Sequence, residues 1–128
     1  MASKDNKKYK SKNLFDSFHH AFDGLIYGFR TTKNLRVDLF VTAIVIVCGF
    51  VFKISLLEWA LLTICFGLVM ALELVNTAIE EAVNLAMPNL HPIAKISKDV
   101  AAGAVMFAAI LSSVVGFLIF IPKFIDLL

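Results

Sequence analysis

Residues 56–84 have the sequence LLEWALLTICFGLVMALELVNTAIEEAVN, and this stretch decides the fold. Up to residue 72 it contains one charged side chain, Glu58, so it approaches the roughly 20 apolar residues that a transmembrane helix needs. The helical phase then continues through four polar positions, Glu73, Asn76, Glu80 and Asn84. The sequence therefore predicts a long membrane-spanning helix whose last turns carry polar side chains.

The composition of the whole chain also indicates a membrane protein. Of the 128 residues, 59% are hydrophobic and 17% are charged, and the mean hydropathy is +0.84. Ordinary soluble domains are roughly 45–50% apolar, so the composition argues against a water-soluble globule, a disordered chain and a disulfide scaffold. Cys48 and Cys65 lie in apolar runs without metal-ligand spacing, and we interpret them as packing residues.

The remaining segments complete an all-α integral membrane fold. Three apolar segments predict transmembrane helices, at about 36–52, 56–86 and 98–121. Over residues 13–32, aromatic residues recur at spacings of three and four between charged ones, which predicts an N-terminal amphipathic helix on the membrane surface. Residues 1–12 carry five lysines and form a predicted flexible basic tail. Residues 13–128 are therefore expected to form a single membrane-embedded domain.

The distribution of basic residues predicts the orientation. Eight of the twelve Lys and Arg residues lie within the first 36 positions, and Lys95 and Lys98 lie between the second and third spans. The opposite side carries only Lys53 and Lys123. The positive-inside rule therefore predicts a multi-pass protein of the cell membrane with a cytoplasmic N-terminus. Because three helices shield few intramembrane polar groups, a homo-oligomer is favoured.

The polar end of the second span is the most informative feature for function. At about 100° per residue, Glu73, Glu80 and Asn84 fall within about 40° of one another on the helix, with Asn76 and Thr77 beside them. We call these five residues the polar stripe. A carboxylate near the bilayer costs at least a few kcal/mol unless it is paired, hydrated or metal-bound, so it indicates function. Alternatively, Glu80 and Glu81 are cytoplasmic helix-end charges and Glu73 bonds a neighbouring helix.

Lys98 and Asp99 begin the third span on the same side of the membrane as the polar stripe. Carboxylates for a divalent cation, an ammonium group for phosphate and a deep carboxylate near a lipid hydroxyl are compatible with phosphoryl transfer. Equally, Lys98 suits a membrane anchor and Asp99 a helix N-terminal charge. The chain has no GxxxxGK[ST] motif, and its histidines lack zinc-site spacing.

Two segments closely resemble the prokaryotic diacylglycerol kinase family: ELVNTAIE at 73–80 and HPIAKISKDVAAGAV at 91–105. Three short stretches resemble its undecaprenol kinase branch: SFHHA at 17–21, EW at 58–59 and FIPK at 120–123. The resemblance implies a homotrimeric membrane enzyme that transfers the γ-phosphoryl group of ATP, with Mg²⁺, to a lipid hydroxyl at the cytoplasmic face. Undecaprenol is the leading lipid and diacylglycerol the second candidate. The expected partners are the lipid alcohol and the membrane, with no nucleic acid.

The resemblance also implies roles for individual residues. Glu73 would be the general base near the lipid hydroxyl, and Asn76 would help to orient the reacting groups. Glu80 would hold the divalent metal. The implied contacts to the nucleotide come from Lys98, Asp99, His20, Asn89 and His91.

The chain departs from the family pattern at two positions. Thr32 stands where the family usually has a glutamate similar to a second metal carboxylate, and a neutral hydroxyl is a weaker ligand for a hard cation. Thr32 is retained as a candidate residue of the metal site. Asn84 stands where the family usually has an aspartate. These changes favour an alternative hypothesis, a weak or inactive homologue that acts as a membrane-binding or regulatory protein. A third hypothesis, a pore-forming bundle, leaves Lys98 and Asp99 without a role.

Overall fold

The structure is a computed structural model that describes residue 10 and residues 12–128. The regular structure of these residues is entirely helical, comprising α1 (Leu14–Thr31), α2 (Lys33–Val51), α3 (Leu56–Ala86) and α4 (Pro92–Asp126). The last three helices are long and apolar enough to cross a membrane, which confirms the predicted number of spans. The predicted basic tail, residues 1–12, lies outside the described residues apart from Lys10 and Lys12.

α1 begins at a side-chain cap and exposes an aromatic surface. The Asn13 Oδ1 atom accepts a hydrogen bond of 2.9 Å from the backbone N–H of Asp16, which satisfies one of the free donors of the first turn. Three phenylalanines of this helix are well exposed: Phe15, Phe18 and Phe22. These side chains give α1 an apolar surface that the other described residues leave exposed.

A single residue, Thr32, separates α1 from α2. Its extended backbone (φ −100°, ψ 109°) turns the chain between the two helices. The Arg36 side chain reaches back from α2 and donates hydrogen bonds to the carbonyl oxygens of Phe29 and Arg30, at 3.0 and 2.8 Å. Because the last carbonyls of a helix have no partner within the helix, Arg36 stabilises the end of α1 and fixes the corner.

α3 is the central helix and contacts each of the others. Gly28 of α1 is buried against Leu74, and a Cβ atom at Gly28 would lie 2.5 Å from the Leu74 Cδ2 atom. Tyr27 precedes Gly28 in the sequence, and its hydroxyl donates a 3.0 Å hydrogen bond to Glu81 Oε1, about two helical turns after Leu74. This bond raises the pKa of the Tyr27 hydroxyl, so the phenol remains a donor. These contacts position α1 against the polar end of α3.

The main hydrophobic core lies at the opposite end, around the α2–α3 turn. Its buried residues are Ile54, Leu62 and Ile119. Ser55 and Glu58 form a capping box that begins α3, since each accepts a hydrogen bond from the other's backbone N–H. The Glu58 carboxylate also forms an ion pair with the Lys123 ammonium group of α4, at 3.1 Å. This end of the molecule is therefore held by apolar packing and by one partly buried ion pair.

The ends of α4 differ from the expected span at 98–121. The helix begins at Pro92, where the His91 Nδ1 atom accepts a hydrogen bond from the Ile93 N–H, and proline suits a first helical turn because it needs no N–H partner there. Pro122, expected to end the helix, lies inside it. With only four helical residues after it, Pro122 removes one hydrogen bond near the end and leaves the last turn intact.

We expect Gly49→Ala to destabilise the protein by about 1–3 kcal/mol, because overpacking a filled site forces neighbours to shift. A Cβ atom at Gly49 would lie 2.5 and 2.8 Å from two ring carbons of Trp59. The matched control is Gly24→Ala, because nothing lies within 4 Å of a Cβ atom at Gly24. Thermal unfolding in detergent measures both variants. Equal unfolding temperatures for the two would contradict the predicted close contact.

Candidate active site

Glu73 is the one buried residue with a charged side chain among those that the structure describes. It lies on α3 and is only 3% exposed, and its Oε2 atom is buried without a hydrogen-bond partner within residues 12–128. Two polar side chains of α2, Asn34 and Asp38, lie close to this carboxylate. A buried acceptor without a partner is costly, so such groups are rare in folded proteins unless they serve a purpose. Glu73 can therefore accept a proton or a hydrogen bond from a bound molecule.

A short hydrogen-bonded chain connects the α1–α2 corner with Glu73. The Thr77 hydroxyl donates to the backbone carbonyl oxygen of Glu73 at 3.0 Å, and the Thr32 and Thr77 hydroxyl oxygens are 2.9 Å apart. Because a hydroxyl has a single proton, Thr32 is the donor in the second bond. Thr32 keeps its lone pairs, so it can still accept a bond or act as a weak oxygen ligand.

Asn76 extends the buried polar group toward the end of α3. It is 8% exposed, and its Oδ1 atom is buried without a partner in the described part of the chain. Its Nδ2 atom donates a long hydrogen bond of 3.5 Å to Glu80 Oε1. Glu80 itself is exposed. The predicted base, orienting amide and metal carboxylate thus follow one another along a single helix face.

α4 contributes two lysines with different partners. The Lys98 ammonium group donates to the Asn84 Oδ1 atom of α3. Lys95, one turn earlier, forms an ion pair with Asp99 on its own helix. The first bond joins α4 to the polar stripe, and it places a cation beside the exposed end of that stripe.

Four of the sequence-predicted residues are not joined to this group, and one of them, Asp99, pairs with Lys95 instead. No hydrogen bond or ion pair links His20, Asn89 or His91 to the polar stripe among residues 12–128. All three are exposed, and His91 instead caps α4 through its Nδ1 atom. Their predicted contacts to the nucleotide stay predictions.

The described residues include no group of three His, Cys, Asp or Glu side chains that could hold a metal alone. Mg²⁺ in nucleotide enzymes keeps several waters and is bound by one or two carboxylates together with substrate phosphates. The exposed carboxylate of Glu80 fits this type of donor set, because it is an oxygen ligand on the accessible side of the site.

A groove of about 600 Å³ lies between α2, α3 and α4. Its walls are mainly apolar, and Asp38 is the one charged residue among the described residues that line it. Sequence reasoning missed both Asn34 and Asp38. The signal was present, because residues four apart share a helix face, and polar residues at the start of an apolar span are unusual. The groove therefore leads from an apolar surface to a carboxylate near Glu73.

Comparison with known proteins identifies the family. Residues 19–120 match the family described as prokaryotic diacylglycerol kinase. The undecaprenol kinase of Bacillus subtilis (strain 168) is 41% identical over 123 residues, which are 96% of this chain and 99% of that protein. A diacylglycerol kinase of Synechocystis sp. is 39% identical over 91% of this chain and 67% of its own length. A diacylglycerol kinase of Helicobacter pylori (strain J99) is 31% identical over 77% of each chain. Since most of the chain is matched, it belongs to the prokaryotic diacylglycerol kinase family.

Proposed function

We propose that this protein is a lipid kinase that transfers the γ-phosphoryl group of ATP to the hydroxyl group of undecaprenol. Diacylglycerol is the second candidate substrate. The observation that carries the proposal is Glu73, a buried carboxylate with an unpartnered oxygen near the end of an apolar groove. The relatives support the substrate class, because their names are undecaprenol kinase and diacylglycerol kinase.

In the proposed reaction, Glu73 accepts the proton of the lipid hydroxyl. The lipid oxygen forms a bond to the γ-phosphorus, while the bond from that phosphorus to the β,γ-bridging oxygen breaks and ADP leaves. Asn76 holds the reacting groups, since its free Oδ1 atom can accept a hydrogen bond. Catalysis of phosphoryl transfer depends mainly on positioning and on neutralising charge, which suits this small set of side chains.

The nucleotide and its metal would bind at the exposed end of the polar stripe. Bound Mg²⁺ would neutralise phosphate charge, with Glu80 as its main protein ligand and Thr32 as a weaker candidate. Lys98 would contact the phosphates, and Asp99 is the further nucleotide residue on α4. In the structure the Lys98 ammonium group donates to the Asn84 Oδ1 atom, and its other N–H donors are available for a phosphate oxygen.

The remaining proposals concern the membrane. The N-terminus and the α3–α4 loop lie in the cytoplasm, as the positions of the basic residues favour. α1 lies in the interface, with Phe15, Phe18 and Phe22 in contact with the bilayer. The chains form a homotrimer, which would cover polar groups that three spans leave exposed.

Phosphoryl transfer by the purified protein tests this proposal directly. The protein in detergent receives γ-labelled ATP and either undecaprenol or diacylglycerol, at several Mg²⁺ concentrations. We expect labelled lipid with both, and a higher kcat/KM with undecaprenol. Equal or greater transfer to diacylglycerol would contradict the substrate assignment. No transfer to either lipid by a folded protein would contradict the kinase proposal and favour the binding or regulatory hypothesis.

A further inference from the structure

The groove between α2, α3 and α4 has one charged end and an apolar length. On α2 its lining runs from Asp38 to Phe52, about 21 Å along the helix. Asp38 lies close to the Glu73 carboxylate, and Phe52 and Phe124 line the other end. A long-chain alcohol has the same division, with one polar end and an apolar chain. The groove therefore suits such a molecule when its hydroxyl group lies at Glu73.

Gly116 of α4 is the one glycine among the described residues that line the groove. Aromatic side chains line the groove near it, including Phe66, Phe117 and Phe120. A Cβ atom at Gly116 would have no other described atom within 4 Å that it could contact. Gly116 therefore leaves the groove wider at this height than any side chain would.

The register of α3 and α4 gives the depth of Gly116 below the carboxylate. The two helices are antiparallel, and the Glu58–Lys123 ion pair fixes their register. Gly116 lies seven residues before Lys123, so it is level with Cys65, seven residues after Glu58. Cys65 is about 12 Å from Glu73 along α3. Because three bonds of an extended chain span about 3.6 Å, a chain whose hydroxyl lies at Glu73 passes Gly116 after about ten bonds.

We propose that this groove holds the hydrocarbon chain of the lipid alcohol, and that Gly116 is a specificity-determining residue that admits a methyl-branched chain. A polyisoprenoid carries one methyl branch in each five-carbon unit, so it is wider than the unbranched chain of a fatty acid. The open space at Gly116 accepts such a branch, and a side chain there would remove that space. The inference rests on the proposed kinase function and deepens its choice between undecaprenol and diacylglycerol.

Two substitutions, Gly116→Ala and Gly116→Val, fill this space in steps. We expect kcat/KM for undecaprenol to fall in both, and by about tenfold or more in Gly116→Val, because a single methylene in an apolar pocket changes specificity by about 10–200-fold. For diacylglycerol, kcat/KM should fall by less than about threefold. The five-carbon alcohol prenol ends before the level of Gly116, so its kcat/KM should stay within about twofold of the wild type.

The matched control is Gly67→Val on α3. Gly67 lies at nearly the same depth as Gly116, but it is exposed and does not line the groove. A Cβ atom at Gly67 also has no contact within 4 Å among the described residues. This variant should keep kcat/KM for undecaprenol within about twofold of the wild type. Size-exclusion chromatography compares the oligomers, and loss of the oligomer in Gly116→Val would assign the groove to a second copy of the chain and overturn the inference.

The two cysteines of the chain provide a readout that does not depend on turnover. Cys48 and Cys65 both line the groove, and both are free and partly exposed. In the nucleotide-free protein, undecaprenol should slow the alkylation of both thiols by N-ethylmaleimide, as measured by mass spectrometry. Prenol should not slow it, because its chain ends before either cysteine. Equal alkylation rates with and without undecaprenol would overturn the inference.

The failure of this inference is distinguishable from the failure of the proposed function. An active wild-type enzyme whose Gly116→Val variant keeps kcat/KM for undecaprenol overturns the inference alone. An equal loss with undecaprenol, diacylglycerol and prenol does the same, because it shows a general structural effect. A wild-type protein that transfers no phosphate to any of the three alcohols overturns the proposed function. Protection of Cys48 and Cys65 by undecaprenol would still support the groove as the binding site of the chain.

Discussion

Replacement of Glu73 by Gln is expected to lower kcat for phosphoryl transfer by about 10²–10⁴-fold, the usual contribution of a general base. Glutamine has nearly the shape of glutamate, so the packing of α3 against α2 should persist. Its amide cannot accept a proton from the lipid hydroxyl at neutral pH. The rate of labelled lipid formation at saturating ATP and lipid measures the effect.

The matched control for this change is Glu81→Gln. It removes one negative charge from the same end of α3, on the side that faces α1, and it keeps an oxygen that can accept the hydrogen bond from Tyr27. We expect near-wild-type kcat in this variant. Wild-type kcat in Glu73→Gln would remove Glu73 from the base role. Loss of activity in both variants would attribute the effect to the charge of the helix end.

Replacement of Glu80 by Gln should raise the Mg²⁺ concentration for half-maximal activity by about tenfold or more, since even indirect changes around a metal typically cost 10–100-fold in affinity. Glu80 is exposed at the end of the polar stripe, and its carboxylate is bonded only weakly, at 3.5 Å, to Asn76. Few protein contacts compete for it, so a metal–nucleotide complex can use it. A Mg²⁺ titration of the transfer rate measures the change.

Added Mg²⁺ distinguishes Glu80→Gln from Glu73→Gln. High Mg²⁺ should restore most of the kcat of Glu80→Gln, because the lost function is metal affinity. It should not restore Glu73→Gln, because the lost function there is proton acceptance. An unchanged Mg²⁺ titration in Glu80→Gln would contradict its assignment as a metal ligand.

Local patterns predicted the number of spans, because an apolar run long enough to cross a membrane can be recognised from the sequence alone. The ends of the helices were harder to predict. The Ser97–Lys98–Asp99 segment interrupts the apolar pattern, so the expected third span began there. The helix instead begins at Pro92, since His91 provides a cap and polar residues continue a helix readily in the absence of a breaker.

The candidate site was predictable where its residues share one helix. Helical spacing alone predicts that Glu73, Asn76 and Glu80 share a face, whereas their proposed roles come from the family resemblance. The bonds between Thr32 and Thr77 and between Asn84 and Lys98 join different helices, and the first spans 45 residues. Such contacts depend on how the helices pack, which spacing along the sequence does not determine. The sequence does mark Asp38 as a polar residue at the start of an apolar span, but its position beside Glu73 depends on how α2 and α3 pack.

The length of α3 has a consequence for where the two substrates can meet. Its 31 residues measure about 46 Å, whereas the hydrocarbon layer of a bilayer is about 30 Å thick. If Leu56 starts at one boundary, Glu73 lies about 26 Å along the helix and Glu80 about 36 Å. Glu73 then lies within the hydrocarbon layer and Glu80 lies in water, with about 10 Å between them along the helix. A single rigid helix would thus span the boundary between two immiscible phases, so in the proposed reaction an oil-soluble alcohol and a water-soluble nucleotide would each approach the site from its own solvent.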